Sequence, residues 1–344
     1  MKHIVNHCHQ GDVLEILPKM VSAGVKVQCV ITSPPYWGLR DYGCPGQIGL
    51  EEHLGLYIIR MKLVFRHIQK LLADDGTLWL NLGDCYASSS NKRKPGDSRT
   101  GKQGSNIGSD STPSRAVEGL PSKNLIGLPW RVAFALQDDG WILRSEVIWH
   151  KPNSMPESVT DRPIKAHETI FLFSKSHRYY YDHEAVKEPA TTVRGDQLTF
   201  ARQVNEPIRP KQAMPNHRPG RSGNKARKTG LSRGCPENSG SNVCGSVPWE
   251  GLTRNLRDVW TLNNQPYRGA HFATFPMEIP RRCILSGTRL GDVVFDPFMG
   301  SGTTAEAAEM LGRKWIGIEL NPDYIKMQNK RLAKVNPLLK AAGL

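Results

Sequence analysis

The sequence contains no apolar stretch approaching the roughly 20 residues that a membrane helix requires. Met1 to Gln10 also lacks the charged head and apolar body of a signal peptide. A soluble, cytoplasmic protein with no membrane partner is therefore expected. Cysteine is sparse: seven residues, scattered at 8, 29, 44, 85, 235, 244 and 283, do not form a disulfide framework in a chain of 344, so reduced thiols are expected. His7 and His9 have no further ligands close by, and Cys235 and Cys244 lack a second close pair, so no metal site is read. Heptads, internal repeats and a G-x-x-x-x-G-K-[ST] nucleotide loop are missing. Acidic residues are the scarcer charge, 32 against 46 Lys and Arg, which leaves a net charge of +14. Cationic side chains gain affinity by displacing the counterions condensed on nucleic-acid phosphates, so the balance points to a polyanionic partner.

The chain reads as α/β. Val27 to Thr32 (VQCVIT) is a β-branched apolar run stopped by Ser33-Pro34-Pro35, which cannot continue a ladder. Leu54 to Leu72 carries apolar residues at helical spacing (Leu56, Ile59, Leu63, Val64, Ile68, Leu71). Ala73 to Gly76 closes that helix, and Thr77 to Leu82 is a further strand. This βαβ succession implies a parallel sheet. Pro129 to Gln137 is predicted as a helix, with Trp141 to Trp149 and Glu168 to Ser174 as two strands of the same sheet. Residues 87–123 turn to Ser, Gly and Lys and predict a mobile basic loop. Thr191 to Gly234 holds ten basic residues against Asp196 and Glu206, a stretch that cannot build a core and suits an insertion lying on phosphates.

The last segment is the most regular, with a strand at Asp292 to Phe295, a turn at Asp296-Pro297-Phe298-Met299-Gly300-Ser301-Gly302, a helix at Thr303 to Leu311 and a strand at Trp315 to Leu320. Gly300 and Gly302 let a ligand approach the backbone, and Glu319 closes the next strand where a carboxylate can bond ribose hydroxyls. A nucleoside-containing cofactor follows. The turn opens with Asp296 and lacks the third glycine of a dinucleotide site, and a carboxylate there repels a diphosphate. It suits the ammonium and sulfonium of S-adenosylmethionine.

Thr32-Ser33-Pro34-Pro35-Tyr36 ends a parallel strand, where open α/β sheets bind ligands, and its prolines fix the backbone so that Ser33, the adjacent carbonyls and Tyr36 face one place. That set fits a planar heterocycle with an exocyclic amine: Tyr36 stacks, while Ser33 Oγ and the Pro34 carbonyl accept the amine hydrogens.

These two motifs together resemble the DNA amino-methyltransferases, which modify an exocyclic base nitrogen. The order, catalytic motif before cofactor motif with a basic region between, resembles the β arrangement of that family. His271 to Ile284 and Gly11-Asp12-Val13-Leu14 look like its flanking segments. The resemblance implies a Rossmann-like, mostly parallel sheet with helices on both faces and an inserted target-recognition region. It divides the chain into a catalytic half (1–184), the insertion (185–262) and a cofactor-binding half (263–335). It implies Ser33, Pro34, Pro35 and Tyr36 as the catalytic set, and Asp296, Phe298, Gly300, Gly302, Thr303 and Glu319 as S-adenosylmethionine contacts, with Asp12 a weaker candidate for the adenine amine. The substrate implied is double-stranded DNA with the target base flipped from the duplex. A cognate restriction endonuclease is the companion that such an enzyme can have, and the chain is expected to act as monomer or homodimer.

Ser33, where Asp stands in many members, resembles the cytosine-N4 branch more than the adenine-N6 branch. An RNA methyltransferase and a catalytically dead DNA-binding regulator are the competing readings. Lys151, in Trp149-His150-Lys151-Pro152, lies where the family lines the base pocket, but the residue itself reads more readily as an ordinary surface lysine.

Overall fold

The computed structural model describes residues 4–88, 115–190, 253–264 and 275–335. Most of the expected basic loop and of the basic insertion therefore lies outside the described residues. The chain divides into two compact units, one formed by Met1–Lys187 with Asn255–Leu344 and the other by Glu188–Arg254.

The first unit is an eight-stranded sheet. Its elements run β1 (His7–Gln10), α1 (Val13–Ser22), β2 (Val27–Thr32), α2 (Leu54–Leu71), β3 (Leu72–Leu82), α3 (Leu128–Asp138), β4 (Ile142–His150) and β5 (His167–Ser174). After the second unit come β8 (Val259–Thr261), α4 (Glu278–Gly287), β9 (Val293–Asp296), α5 (Thr303–Met310), β10 (Lys314–Glu319) and α6 (Pro322–Leu332). The described part of the second unit is one antiparallel pair, β6 (Glu188–Pro189) with β7 (Thr253–Arg254).

In space the strands follow the order β1-β10-β9-β2-β3-β5-β4-β8. All neighbours pair in parallel except at β5, which is antiparallel to both β3 and β4. β8 joins the far edge, with Trp149 opposite Trp260, so the segment at 259–261 is a strand of the main sheet although the sequence grouped it with the insertion.

Alternation along the strands explains why helices cover both faces. Val30, Leu78, Leu80, Phe171 and Phe173 belong to one core, which takes in buried residues of α1, α2 and α3. Cys29, Ile31, Trp79, Ile170 and Leu172, one position along, belong to the second, which takes in residues of α4, α5 and α6. Successive side chains point to opposite faces, so each fully apolar strand feeds two cores.

Two details depart from the sequence reading. The buried face of α2 is Leu54, Tyr57, Met61, Val64, Phe65, Ile68 and Leu71, whereas Leu56, Ile59 and Leu63 are exposed. Apolar residues flank both sides of the helix, and the larger aromatics take the inward register. Ala73 to Gly76 does not separate helix from strand: β3 starts at Leu72, and its pairing with β2 shifts between Val27 and Cys29 to absorb those residues. Gly76 is required there because a Cβ would lie 2.8 Å from the Gln28 carbonyl oxygen.

Candidate active site

The permuted strand order makes β2 and β9 direct neighbours, with Val30 opposite Phe295. The proline turn and the glycine turn follow these two strands at their common carboxyl edge. β10 and β1 pair alongside, with Gln10 opposite Glu319, and so deliver Asp12 and Glu319 to that edge. β5 runs the other way, so its first residues, including Glu168, arrive there too.

The proline turn is held on both sides. Thr32 Oγ1 donates to Asp296 Oδ1 at 2.8 Å, and Tyr57 Oη donates to the Pro35 carbonyl at 3.0 Å. Trp37, fully buried, donates its indole N–H to the Glu51 carbonyl. Gly83 lies against the Tyr36 ring so closely that a Cβ would stand 2.6 Å from Cε2.

A polar network fills the base of this turn. Ser33 Oγ lies 3.1 Å from Tyr36 Oη, and Tyr36 Oη donates to Glu168 Oε2 at 2.9 Å. The Asn81 amide group reaches Ser33 Oγ at 3.3 Å, Tyr36 Oη at 3.0 Å and Glu168 Oε2 at 2.9 Å. Lys151 pairs with the other Glu168 oxygen and stands over the Trp149 ring, 4.0 Å from its centroid. Lys151 is therefore a pocket residue, not the surface lysine that the sequence suggested. Burial pushes the Glu168 carboxyl up, but the Lys151 ammonium and the hydrogen bonds from Lys151, Asn81 and Tyr36 outweigh it and hold the group below the usual range. Burial, with Glu168 beside it, raises the Tyr36 phenol well above its ordinary value.

The glycine turn is organised by two carboxylates. Asp296 is 1% exposed; besides the Thr32 hydroxyl it accepts from the Phe298 amide at 3.0 Å and the Thr304 hydroxyl at 2.7 Å. Burial raises its carboxyl to about 6, against the lowering effect of those three bonds. Glu319 accepts from the Gly300 amide on Oε2 and the Asn321 amide on Oε1, both at 2.8 Å. Burial also raises Glu319. Gly300 and Gly302 have φ of 54° and 84°, the left-handed region that favours glycine. At Gly302 a Cβ would also meet Gln328 Cγ at 3.0 Å.

One cavity of about 650 Å³ spans both turns. Ser33, Pro34, Pro35 and Tyr36 line it together with Phe298, Gly300, Thr303, Glu319 and Asp12, the last also capping α1 by accepting the Leu14 amide at 2.8 Å. Two of the expected cofactor contacts do not face it. Asp296 lies beneath the turn, where its oxygens accept from Thr32, Phe298 and Thr304 and hold the loop's shape. Gly302 instead gives α5 its left-handed N-cap.

The sequence reading missed Asn81 and Glu168. It also missed Tyr42 and Tyr324, which meet edge to face at 6.3 Å on the wall beside Glu319.

The fold and this edge define an α/β enzyme whose two ligand loops share one cavity, and comparison with known proteins gives the family. A family described as DNA methylase (N6_N4_Mtase) matches residues 27–330. The type II methyltransferase M.Cfr9I of Citrobacter freundii is 41% identical over 323 residues, covering 94% of this chain and 86% of the relative. M.SmaI of Serratia marcescens is 41% identical over 306 residues, covering 89% and 84%. Among solved structures, the cytosine-N4-specific PvuII DNA methyltransferase matches with a TM-score of 0.56 at 19% identity, covering 94% of this chain and 85% of that one. A putative DNA modification methylase from Thermus thermophilus, solved with S-adenosyl-L-methionine, matches with a TM-score of 0.52 at 20% identity over 96% of this chain and 95% of that one. The chain belongs to this family of DNA methylases.

Proposed function

We propose that this DNA methyltransferase transfers a methyl group from S-adenosylmethionine to N4 of a cytosine flipped out of duplex DNA. The observation that carries the reading is the single cavity in which the Ser33–Tyr36–Glu168 network faces the Gly300–Glu319 turn.

The cofactor fits the glycine-turn side. Gly300 lets the backbone come close, and the Glu319 oxygens, each holding one amide, keep lone pairs for ribose hydroxyls. Asp12, one strand over, faces the same space for the adenine amine, and Phe298 and Tyr324 offer apolar walls. When bound, S-adenosylmethionine supplies an electrophilic methyl group on a sulfonium. The base pocket then presents Ser33 Oγ to the target amine and Tyr36 as a ring for stacking. A neutral hydroxyl at position 33 orients an amine more than it deprotonates it, which favours cytosine-N4 over adenine-N6. Such a cavity cannot be reached by a stacked base, so the base must leave the duplex. The insertion bounded by Glu188 and Arg254 is the segment we assign to target recognition, and its basic residues suit phosphate contact.

The test is transfer of tritiated methyl groups from labelled S-adenosylmethionine to unmethylated plasmid DNA, followed by digestion to nucleosides. Label in N4-methyl-2′-deoxycytidine is expected. Label in N6-methyl-2′-deoxyadenosine overturns the choice of base, and no transfer overturns the proposal.

A further inference from the structure

We propose that Glu168, acting through Tyr36, sets Ser33 as a hydrogen-bond acceptor toward the substrate and takes up the proton that the target amine gives away. The inference rests on the methyltransferase reading above and adds a positioning residue to it.

The polarity follows from counting protons. Glu168 sits between Lys151 and Asn81 and is ionised at neutral pH, so it only accepts. Tyr36 has one hydroxyl proton and gives it to Glu168 Oε2. Of the pair Ser33 Oγ and Tyr36 Oη, 3.1 Å apart, Ser33 must then be the donor. With that proton committed, Ser33 can only accept from anything entering the cavity. An amine N–H satisfies it and a carbonyl oxygen does not, so the network selects bases by their exocyclic amine. A second feature points the same way: the two hydrogens of the Asn81 amide nitrogen are directed at the oxygens of Ser33, Tyr36 and Glu168, while its carbonyl oxygen is buried with no partner among the described residues. Asn81 lines the cavity, and a buried acceptor without a partner is costly until a donor arrives.

The same chain carries the proton out. As the amine nitrogen bonds to the methyl carbon, the carbon–sulfur bond breaks, its electron pair stays on sulfur as a thioether, and the positive charge passes to nitrogen. In the same step the nitrogen passes a proton to Ser33 Oγ, the Ser33 proton moves to Tyr36 Oη, and the Tyr36 proton moves to Glu168, which later returns it to water. Among the described residues, the charged groups around Glu168 are Lys151 and, farther off, Lys165, with Tyr36 and Asn81 hydrogen-bonded to it.

Single-turnover methyl transfer to plasmid DNA, measured from pH 6 to 9 for the wild type, Glu168→Gln and Tyr36→Phe, tests this, with DNA affinity measured by filter binding without cofactor. The wild-type rate should be flat across this range. Both variants should bind DNA within threefold of the wild type and transfer about 100-fold more slowly. Their rates should rise close to tenfold per pH unit, because hydroxide and buffer replace the relay. A Glu168→Gln rate equal to the wild type, or a loss with a flat pH profile in both variants, overturns the inference. Failure of the wild type itself to transfer methyl groups overturns the enzyme reading and the inference with it.

Discussion

The Thr32 hydroxyl donates to the Asp296 carboxylate at 2.8 Å across 264 residues of sequence. The bond ties the last residue of β2 to the last residue of β9, the two strands that launch the proline turn and the glycine turn. Asp296 thus registers the loops against each other.

Stability should carry the signature of this buried carboxyl. Its value is 3.8 when exposed and about 6 in the folded chain, so between those values the folded state holds a proton that the unfolded state has released. Stability is therefore favoured by this group at low pH and declines as pH rises from about 4 to about 6, by roughly 3 kcal/mol in total. Urea unfolding from pH 4 to 7 should show that decline in the wild type and a flatter curve in Asp296→Asn. Parallel curves would contradict it.

Gly83→Ala should strike the Tyr36 ring first, since the ring carbons are the nearest atoms to the added methyl. Methyl transfer should fall at least tenfold, with about 1–2 kcal/mol lost in thermal unfolding from overpacking. Unchanged transfer would show that the Tyr36 position is not critical.

Glu319→Gln should weaken S-adenosylmethionine binding about tenfold or more by calorimetry, because an amide gives up one acceptor oxygen among the Gly300 and Asn321 amides. Binding equal to the wild type would remove Glu319 from the cofactor site.

The chain leaves and re-enters through β6 and β7, with Pro189 opposite Thr253. Replacing 191–252 by a short Gly-Ser turn should therefore leave S-adenosylmethionine binding intact while abolishing methylation of plasmid DNA. Methylation at unchanged sites would place target recognition elsewhere.

β2, β3, β9 and β10 were legible because buried parallel strands read as continuous apolar runs, and the two ligand turns because proline and glycine mark them. Their meeting followed from strand order, which two motifs and a parallel sheet restrict strongly. What sequence did not disclose was orientation. Asp296 opens the glycine turn in sequence but lies buried beneath it in the fold, and Lys151 looks superficial until Glu168, 17 residues later on an antiparallel strand, comes to meet it. Asn81 and Glu168 carry no local motif: their partnership exists only where β3 and β5 pair, with Leu82 opposite Thr169 and Asn81 opposite Ile170. The exposed apolar side of α2 likewise shows that periodicity identifies a helix more securely than the face it buries.

The most direct measurement is ultraviolet cross-linking of methyl-tritiated S-adenosylmethionine to the full chain, followed by peptide mapping. If the two turns share one site, label should fall on peptides containing Ser33–Tyr36, Tyr42 or Phe298, and excess unlabelled cofactor should remove it. Competable label confined to peptides that contribute nothing to this cavity would contradict the account.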